Sequence, residues 1–124
     1  MSTSASPSPA ITTLYGIPNC DTVKKARDWL QAQGIAHQFH DFKKQGVPPA
    51  ALDRWLRAAG WEVLVNRKGT TWRGLDETLR AGVSDAASAR TLLLAHASAI
   101  KRPVVEWADG RITVGFDPAA WAAA

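Results

Sequence analysis

The side chain of this sequence that is best suited to nucleophilic chemistry is its single cysteine, Cys20. Cys20 follows an apolar segment, residues 13–15, and a turn, residues 16–19, and a helical pattern begins directly after it at Asp21. The first backbone N–H groups of a helix have no partner within the helix, so they stabilise negative charge at this position. We therefore predict that Cys20 reacts as a thiolate, the nucleophilic form of cysteine.

The alternative interpretation is that Cys20 is an inert, buried residue, as most single cysteines of cytosolic proteins are. A rigid, exposed turn of Gly, Pro and Asn is a poor place for such a residue, and it therefore favours reactivity. The helix terminus contributes only about 0.3–1 kcal/mol, which lowers the pKa of a thiol by less than about one unit. The neighbouring carboxylate of Asp21 opposes the thiolate if it points inward. Cations from elsewhere in the fold should complete the site, and the candidates are Arg102, Arg67, Lys68 and Lys24.

Two of these cationic segments have an ordinary structural interpretation as well as a functional one. Arg102 precedes Pro103 at the start of a predicted strand, and a cis bond there would turn Arg102 towards the cysteine loop. Because only about 5–6% of X-Pro bonds are cis, the spacing alone favours a trans bond and a solvated arginine. The segment 66–71, which contains Arg67 and Lys68, is either a solvated loop or a contact for an anion through its glycine and hydroxyl groups.

The histidines do not form a metal-binding pattern. His37 and His40 are three residues apart in a predicted strand and therefore lie on opposite faces, while His96 stands alone in a predicted helix. A single cysteine excludes both an internal disulfide and a thiolate zinc cluster. We therefore predict no metal site and no permanently bound cofactor.

The composition indicates one ordinary globular domain. The 124 residues are 46% hydrophobic, which suits a single core. The sequence shows neither a secretory signal nor an apolar run of about 18 residues, so we expect a cytoplasmic protein without a membrane span. The net charge is +4, but the basic residues are scattered along the chain. Such scattering suits a small anionic ligand, and we do not predict nucleic-acid binding.

The elements that position Cys20 follow from periodicity and turn signals. We expect residues 1–10, which are rich in Ser, Pro and Ala, to form a disordered leader ahead of a single domain spanning residues 11–124. A strand over Ile11–Tyr15, a helix over Asp21–Gln33 and a second strand over 37–42 form a βαβ unit with parallel strands. Residues 43–47 are then a polar connection.

A helical insertion, residues 48–98, separates this unit from a β-hairpin. Its first predicted helix begins at Pro48–Pro49 and ends at Gly60. Shorter helical pieces follow over 61–65 and 72–79, and Ser84 or Asp85 caps the last helix of the insertion. An Asp-Gly turn at residues 109–110 between β-branched runs predicts the hairpin, and a last helix follows from Asp117 to Trp121. This order predicts an α/β thioredoxin-like fold with a mixed four-stranded sheet and a helical insertion.

The sequence resembles the arsenate reductase (ArsC)/Spx superfamily, and within it the YffB-like members. Four segments carry the resemblance in order: Leu14–Ala26, Asn66–Arg73, Ile100–Val105 and Val114–Phe116. The resemblance implies a thioredoxin-like fold in which Cys20 is the nucleophile. In the arsenate reductases the thiolate attacks an oxyanion, arginines steady the adduct, and glutathione with glutaredoxin resolves it.

The same resemblance suggests roles for the cationic residues. It matches Arg102, beside a cis Pro103, to one anion-binding arginine of the reductases. Either Arg67 or Lys68 matches a second such arginine, and Lys24 stands at a position that is also basic in the reductases. The third arginine of the reductases would lie thirteen residues after Arg102, where this chain has Gly115. The loss of such a charge-assisted hydrogen bond costs roughly 1.5–3 kcal/mol. We therefore expect thiol reduction rather than efficient arsenate reduction.

The predicted function is that of a glutathione-dependent thiol oxidoreductase. Cys20 is the nucleophile, Arg102 with Arg67 or Lys68 binds an anion, and Asn19 and Thr22 orient groups at the start of the helix. Because no second cysteine can resolve a mixed disulfide, glutathione is the expected co-substrate and glutaredoxin a possible partner of a monomeric protein.

Two alternatives remain at this point. The chain could be an arsenate reductase proper, or an Spx-like regulator that binds RNA polymerase. Spx-like sensing uses a Cys-x-x-Cys pair, and Val23 at the second position counts against it.

Overall fold

A mixed four-stranded sheet forms the centre of the protein in this computed structural model, which describes residues 11–123. Its strands are β1 (Thr12–Gly16), β2 (His37–Asp41), β3 (Val104–Glu106) and β4 (Ile112–Val114), in the order β2-β1-β3-β4. β1 pairs in parallel with β2 and antiparallel with β3, and β3 pairs antiparallel with β4. The predicted α/β architecture and mixed sheet are therefore confirmed, while the predicted leader, residues 1–10, lies outside the described residues.

Helices surround the sheet and fill the predicted insertion. They are α1 (Asp21–Ala32), α2 (Phe42–Gln45), α3 (Pro49–Ala59), α4 (Trp61–Leu64), α5 (Thr70–Arg73), α6 (Glu77–Ala81), α7 (Ala86–Ala95), a 3-10 turn (Ala97–Ala99) and α8 (Pro118–Ala123). Within residues 11–123, none of these helices combines the length and the apolar character needed to cross a membrane.

Local caps explain where the helices differ from the sequence-based expectation. The predicted polar connection after β2 begins with α2, because the Asp41 side chain accepts a hydrogen bond from the Lys43 backbone N–H at 2.8 Å and starts a helical turn. The predicted helical piece over 72–79 is two short helices, since α5 ends at Arg73 with Gly74 as its C-cap and Asp76 caps the start of α6. Residues 70 and 71, expected in a loop, already belong to α5.

The remaining cap and turn signals agree with the structure, except that the predicted helix ends one residue before His96. Asp85, rather than Ser84, caps α7, and its side chain and that of Ser88 form a reciprocal capping box. His96 follows α7 as its C-cap instead of lying within the helix. The hairpin turns at Gly110, whose φ of +96° is a conformation that glycine adopts without strain.

Hydrophobic clusters cover both faces of the sheet. Neighbouring strand residues alternate between them, so that Leu14 and Val105 belong to one cluster while Tyr15 and Val104 belong to the other. The insertion helices cover the Tyr15 face, where Trp55 is fully buried. The opposite face packs against α1 and α8 through Val23, Ala26, Leu30 and Trp121.

A carboxylate at the end of β3 ties α3 to the sheet. Glu106 accepts hydrogen bonds from the Tyr15 hydroxyl at 2.8 Å, from Arg54 Nε at 2.9 Å and from Trp55 Nε1 at 3.1 Å. Burial and the bond to Glu106 raise the pKa of Tyr15 to about 12. Burial also raises the pKa of Glu106, but the bonds from Arg54 and Tyr15 outweigh it and hold that pKa below its ordinary value.

A close approach of Gly16 to α1 sets the position of the cysteine loop. A Cβ at Gly16 would lie 2.8 Å from Cγ2 of Val23, whose side chain is fully buried. Only a residue without a Cβ lets the end of β1 pack this tightly on the first turn of α1. Cys20 lies in the short connection between these two elements.

Replacing Glu106→Gln should destabilise the protein at pH 7 by about 1–3 kcal/mol, because the buried donors lose a charged acceptor. A carboxyl whose pKa is lowered in the folded protein stabilises it at pH values above the ordinary pKa, here 4.5. That stabilisation disappears as the pH falls through the folded-state pKa. Chemical denaturation of both proteins at pH 7 and pH 4 should show the difference narrowing at pH 4. Exposed Asp28→Asn is the control, and a difference that does not depend on pH would contradict the assignment.

Replacing Gly16→Ala should destabilise the protein by about 1–3 kcal/mol, because the added methyl overlaps the buried Val23 side chain. Gly82→Ala is a matched control, since a Cβ at Gly82 would lie 3.5 Å from the carbonyl oxygens of Thr78 and Leu79, an ordinary contact distance. The control should be neutral or slightly stabilising. Urea denaturation measures both effects, and equal stability of the two variants would refute the close-packing argument.

Candidate active site

The structure places Cys20 at the N-cap of α1. Its backbone is extended, with φ −104° and ψ 123°, and its carbonyl accepts a hydrogen bond from the Lys24 N–H at 2.9 Å. The thiol is partly exposed. Cys20 therefore occupies the junction of turn and helix where the sequence predicts it.

Four separate segments of the chain meet around Cys20 and form a cleft of about 290 Å³. They are the start of α1, the loop after α4, the segment before β3 and the segment after β4. The lining residues are Cys20, Thr22, Asn66, Lys101, Arg102, Gly115 and Phe116. We call this space the cysteine cleft.

The surroundings of Cys20 favour its thiolate. Burial raises the pKa of the thiol, but the Val23 N–H, the Arg102 guanidinium and the Thr22 N–H outweigh burial and hold the pKa below its ordinary value. The helix terminus and one arginine thus act together, as the small contribution of the terminus alone requires.

Arg102 is fixed beside the cysteine. Its Nη1 donates a hydrogen bond to the Ser98 carbonyl at 2.7 Å, and its Nε is buried without a hydrogen-bond partner among the described residues. The Arg102–Pro103 peptide bond is cis, which is the arrangement that the resemblance implies and that spacing alone disfavours. A buried donor without a partner is costly, and Arg102 carries this cost as a residue that lines the cysteine cleft.

Backbone pairing fastens the loop after α4 against the segment before β3. The Asn66 N–H donates to the Ala99 carbonyl at 2.8 Å, and the Lys101 N–H donates to the Leu64 carbonyl at 2.8 Å. Val65 and Ile100 form an antiparallel bridge between these bonds. This pairing brings Asn66 and Lys101 to the cysteine cleft.

Arg67 and Lys68 line a neighbouring cleft of about 280 Å³ instead of the cysteine cleft. Asn66 and Lys101 belong to both clefts and separate them. The Arg67 guanidinium lies 5.3 Å from the centroid of the Trp61 ring, a cation–π arrangement. The structure does not favour Arg67 over Lys68 as an anion ligand.

The other predicted site residues are divided between the cleft and the outer surface. Thr22 lines the cysteine cleft, whereas Asn19 is exposed and is not among its lining residues. Lys24 lines a separate cleft with residues of α1 and His37. Within residues 11–123, no cluster of His, Cys, Asp and Glu side chains is suited to hold a metal ion.

The residues that the sequence-based site did not include are Asn66, Lys101 and Phe116. Lys101 is next to Arg102 in the sequence, and Asn66 begins the basic loop 66–71. This closeness in sequence to predicted site residues is the feature that could have identified them. Their convergence on Cys20 depends on pairing between distant segments.

The chain is similar to known proteins over most of its length. The model of the ArsC family matches residues 15–124. A protein of Haemophilus influenzae, described as uncharacterized, is 41% identical over 112 residues, which are 90% of this chain and 96% of that protein.

Solved structures extend the likeness. The YFFB protein is 50% identical, with 91% of this chain and 97% of that one covered and a TM-score of 0.85. An arsenate reductase (ArsC) related protein from Brucella melitensis is 54% identical, with 94% and 96% covered and a TM-score of 0.71. The family match and these relatives show that this chain belongs to the ArsC family and has its thioredoxin-like fold.

Proposed function

We propose that this protein is a glutathione-dependent thiol oxidoreductase with the Cys20 thiolate as its nucleophile. The observation that supports it most directly is the placement of Cys20 and Arg102 on one open cleft, with the pKa of the thiol held below its ordinary value. A thiolate in a partly exposed, electropositive place is the condition for disulfide exchange. The relationship of the Brucella melitensis protein to an arsenate reductase supports the same type of chemistry.

The first step of the proposed reaction is attack on a mixed disulfide between glutathione and a substrate thiol. The Cys20 thiolate forms a bond to the glutathione sulfur, the original sulfur–sulfur bond breaks, and the substrate leaves as a thiolate that takes a proton from water. Cys20 is thereby oxidised to a mixed disulfide with glutathione while the substrate is reduced. The sulfur attacked, the leaving thiol and the access of the thiolate set the rate.

The second step needs an external thiol. The chain has one cysteine, and the position that would complete a Cys-x-x-Cys pair holds Val23, whose side chain is fully buried. A second glutathione thiolate therefore attacks the glutathione sulfur of the mixed disulfide, the bond between that sulfur and the Cys20 sulfur breaks, and oxidised glutathione and the Cys20 thiolate are released. Glutaredoxin can supply the thiol in place of glutathione. The cycle needs one chain only, and the glutathione-rich cytoplasm is its proposed location.

Arg102 and Gly115 determine which substrates suit this cleft. Arg102 supplies a positive charge beside the reacting sulfur, which stabilises the thiolate as attacking and leaving group. Gly115 contributes no side chain, so a compact oxyanion such as arsenate has fewer donors around it than three arginines would supply. Thiol exchange requires no such cradle, because little charge develops away from the sulfurs.

The protein should catalyse the reduction of a glutathionylated peptide by glutathione. The release of the free peptide thiol, followed by chromatography, should be fast with the unaltered protein and fall to the uncatalysed rate with Cys20→Ser. Mass spectrometry should show one glutathionyl group on Cys20 when the second thiol is withheld. If arsenate with glutathione and glutaredoxin is turned over faster than the peptide, the proposed substrate class is wrong.

Replacing Arg102→Gln should raise the pKa of Cys20, because the loss of the guanidinium leaves burial less opposed. Thiolate absorbance measured across a pH range gives the pKa directly. The rate of Cys20 alkylation should shift to higher pH by the same amount. Exposed Arg73→Gln serves as the control for a general change in charge, and an unchanged pKa in Arg102→Gln would remove Arg102 from the mechanism.

A further inference from the structure

The cysteine cleft and its neighbour meet at a common boundary that the proposed mechanism does not use. Asn66 and Lys101 line both spaces, one containing Cys20 and the other containing Arg67 and Lys68. Their volumes, about 290 and 280 Å³, each lie near the lower end of the range of small-molecule sites, about 300–1,000 Å³. The two clefts together therefore offer room for a ligand of peptide size bound at Cys20, with Asn66 and Lys101 at their shared boundary.

Lys101 presents a free positive charge at the boundary. Its backbone is held by the hydrogen bond to the Leu64 carbonyl, while its side chain is exposed. Among residues 11–123, no carboxylate forms a salt bridge with its ammonium. A lysine with a fixed backbone and an unpaired ammonium can bind an anion at little cost in competing interactions.

Because Gly115 has no side chain, the Lys101 side chain can occupy the space beside it. A Cβ at Gly115 would lie 3.1 Å from Lys101 Cε and 3.8 Å from Nζ. A side chain at this position would therefore meet the lysine and narrow the cysteine cleft. The backbone of Gly115, with φ +88° and an N–H that donates to the Pro103 carbonyl at 2.8 Å, also favours glycine.

Arg102 and Lys101, which are adjacent in sequence, differ in their effect on Cys20. Arg102 is anchored on the Ser98 carbonyl and lowers the pKa of Cys20. Lys101 is not among the groups that change this pKa, although it lines the same cleft. An effect of Lys101 on the reaction would therefore come through the bound substrate and not through the sulfur.

We propose that Lys101 is a specificity-determining residue whose ammonium binds a carboxylate of the glutathionyl group attached at Cys20. Glutathione is a thiol peptide with a carboxylate at each side of its central cysteine, so its second carboxylate would lie towards Arg67 and Lys68. This inference rests on the proposed function, and it assigns recognition to Lys101 while Arg102 activates the thiol.

The test compares two disulfide probes on the unaltered protein and on Lys101→Gln. Oxidised glutathione carries the carboxylates, and 2-hydroxyethyl disulfide is neutral. The rate constant of Cys20 with oxidised glutathione should fall about tenfold in Lys101→Gln, as expected for the loss of one charge-assisted contact. The rate with the neutral probe and the pKa of Cys20 should not change. Lys101→Arg should retain most of the preference, and exposed Lys44→Gln, which lines neither cleft, should retain all of it.

Different failures identify different errors. If the unaltered protein does not prefer oxidised glutathione to the neutral probe, the proposed function itself fails. If it does prefer oxidised glutathione but Lys101→Gln keeps that preference, the function stands and the role of Lys101 is overturned. An equal loss with both probes would also overturn it, because Lys101 would then act on the sulfur.

Discussion

The antiparallel pairing of β1 with β3 is the constraint on which the rest of the site depends. Tyr15 pairs with Val104, so the chain that leaves β1 towards Cys20 and the chain that enters β3 from Arg102 lie at the same edge of the sheet. Val104 also pairs with Val114, which brings Gly115 to that edge. Three segments that are distant in sequence thus meet because of one strand register. Since a slip of one residue would turn every side chain to the other face, the buried clusters on both faces fix this register.

Electrostatics then determines what this edge of the sheet can do. Burial raises the pKa of the Cys20 thiol, while the Val23 N–H, the Arg102 guanidinium and the Thr22 N–H together hold it below its ordinary value. The guanidinium of Arg102 contributes to this lowering from a fixed position, because it donates a hydrogen bond to the Ser98 carbonyl and backbone pairing holds the segment before it. Lys101, one residue earlier, has the opposite character, with an exposed and unpaired side chain among the described residues. Of these adjacent cations, Arg102 can therefore activate the thiol while Lys101 recognises the group bound to it.

Local sequence patterns predict the helices and strands of this fold well. They predict less of the site, because the site is assembled by contacts between residues that are distant in sequence. Periodicity and turn residues identify the βαβ unit, the hairpin and the position of Cys20, because each depends on a short stretch of chain. The short helix α2 and the start of α6 escape such reasoning, since single caps from Asp41 and Asp76 decide them. The inclusion of Asn66 and Lys101 depends on the bridge between Val65 and Ile100, which no local pattern reveals. Arg67 is a comparable case, because the Trp61 ring beside it is visible only in three dimensions.

A crystal structure of the mixed disulfide between Cys20 and glutathione would test the central claim most directly. We expect the glutathionyl group to lie along the two clefts, with one carboxylate within hydrogen-bond distance of the Lys101 ammonium and the other towards Arg67 and Lys68. The Arg102 guanidinium should remain beside the Cys20 sulfur. A glutathionyl group whose carboxylates both point into solvent, away from Lys101 and the loop 66–71, would contradict glutathione recognition at this site.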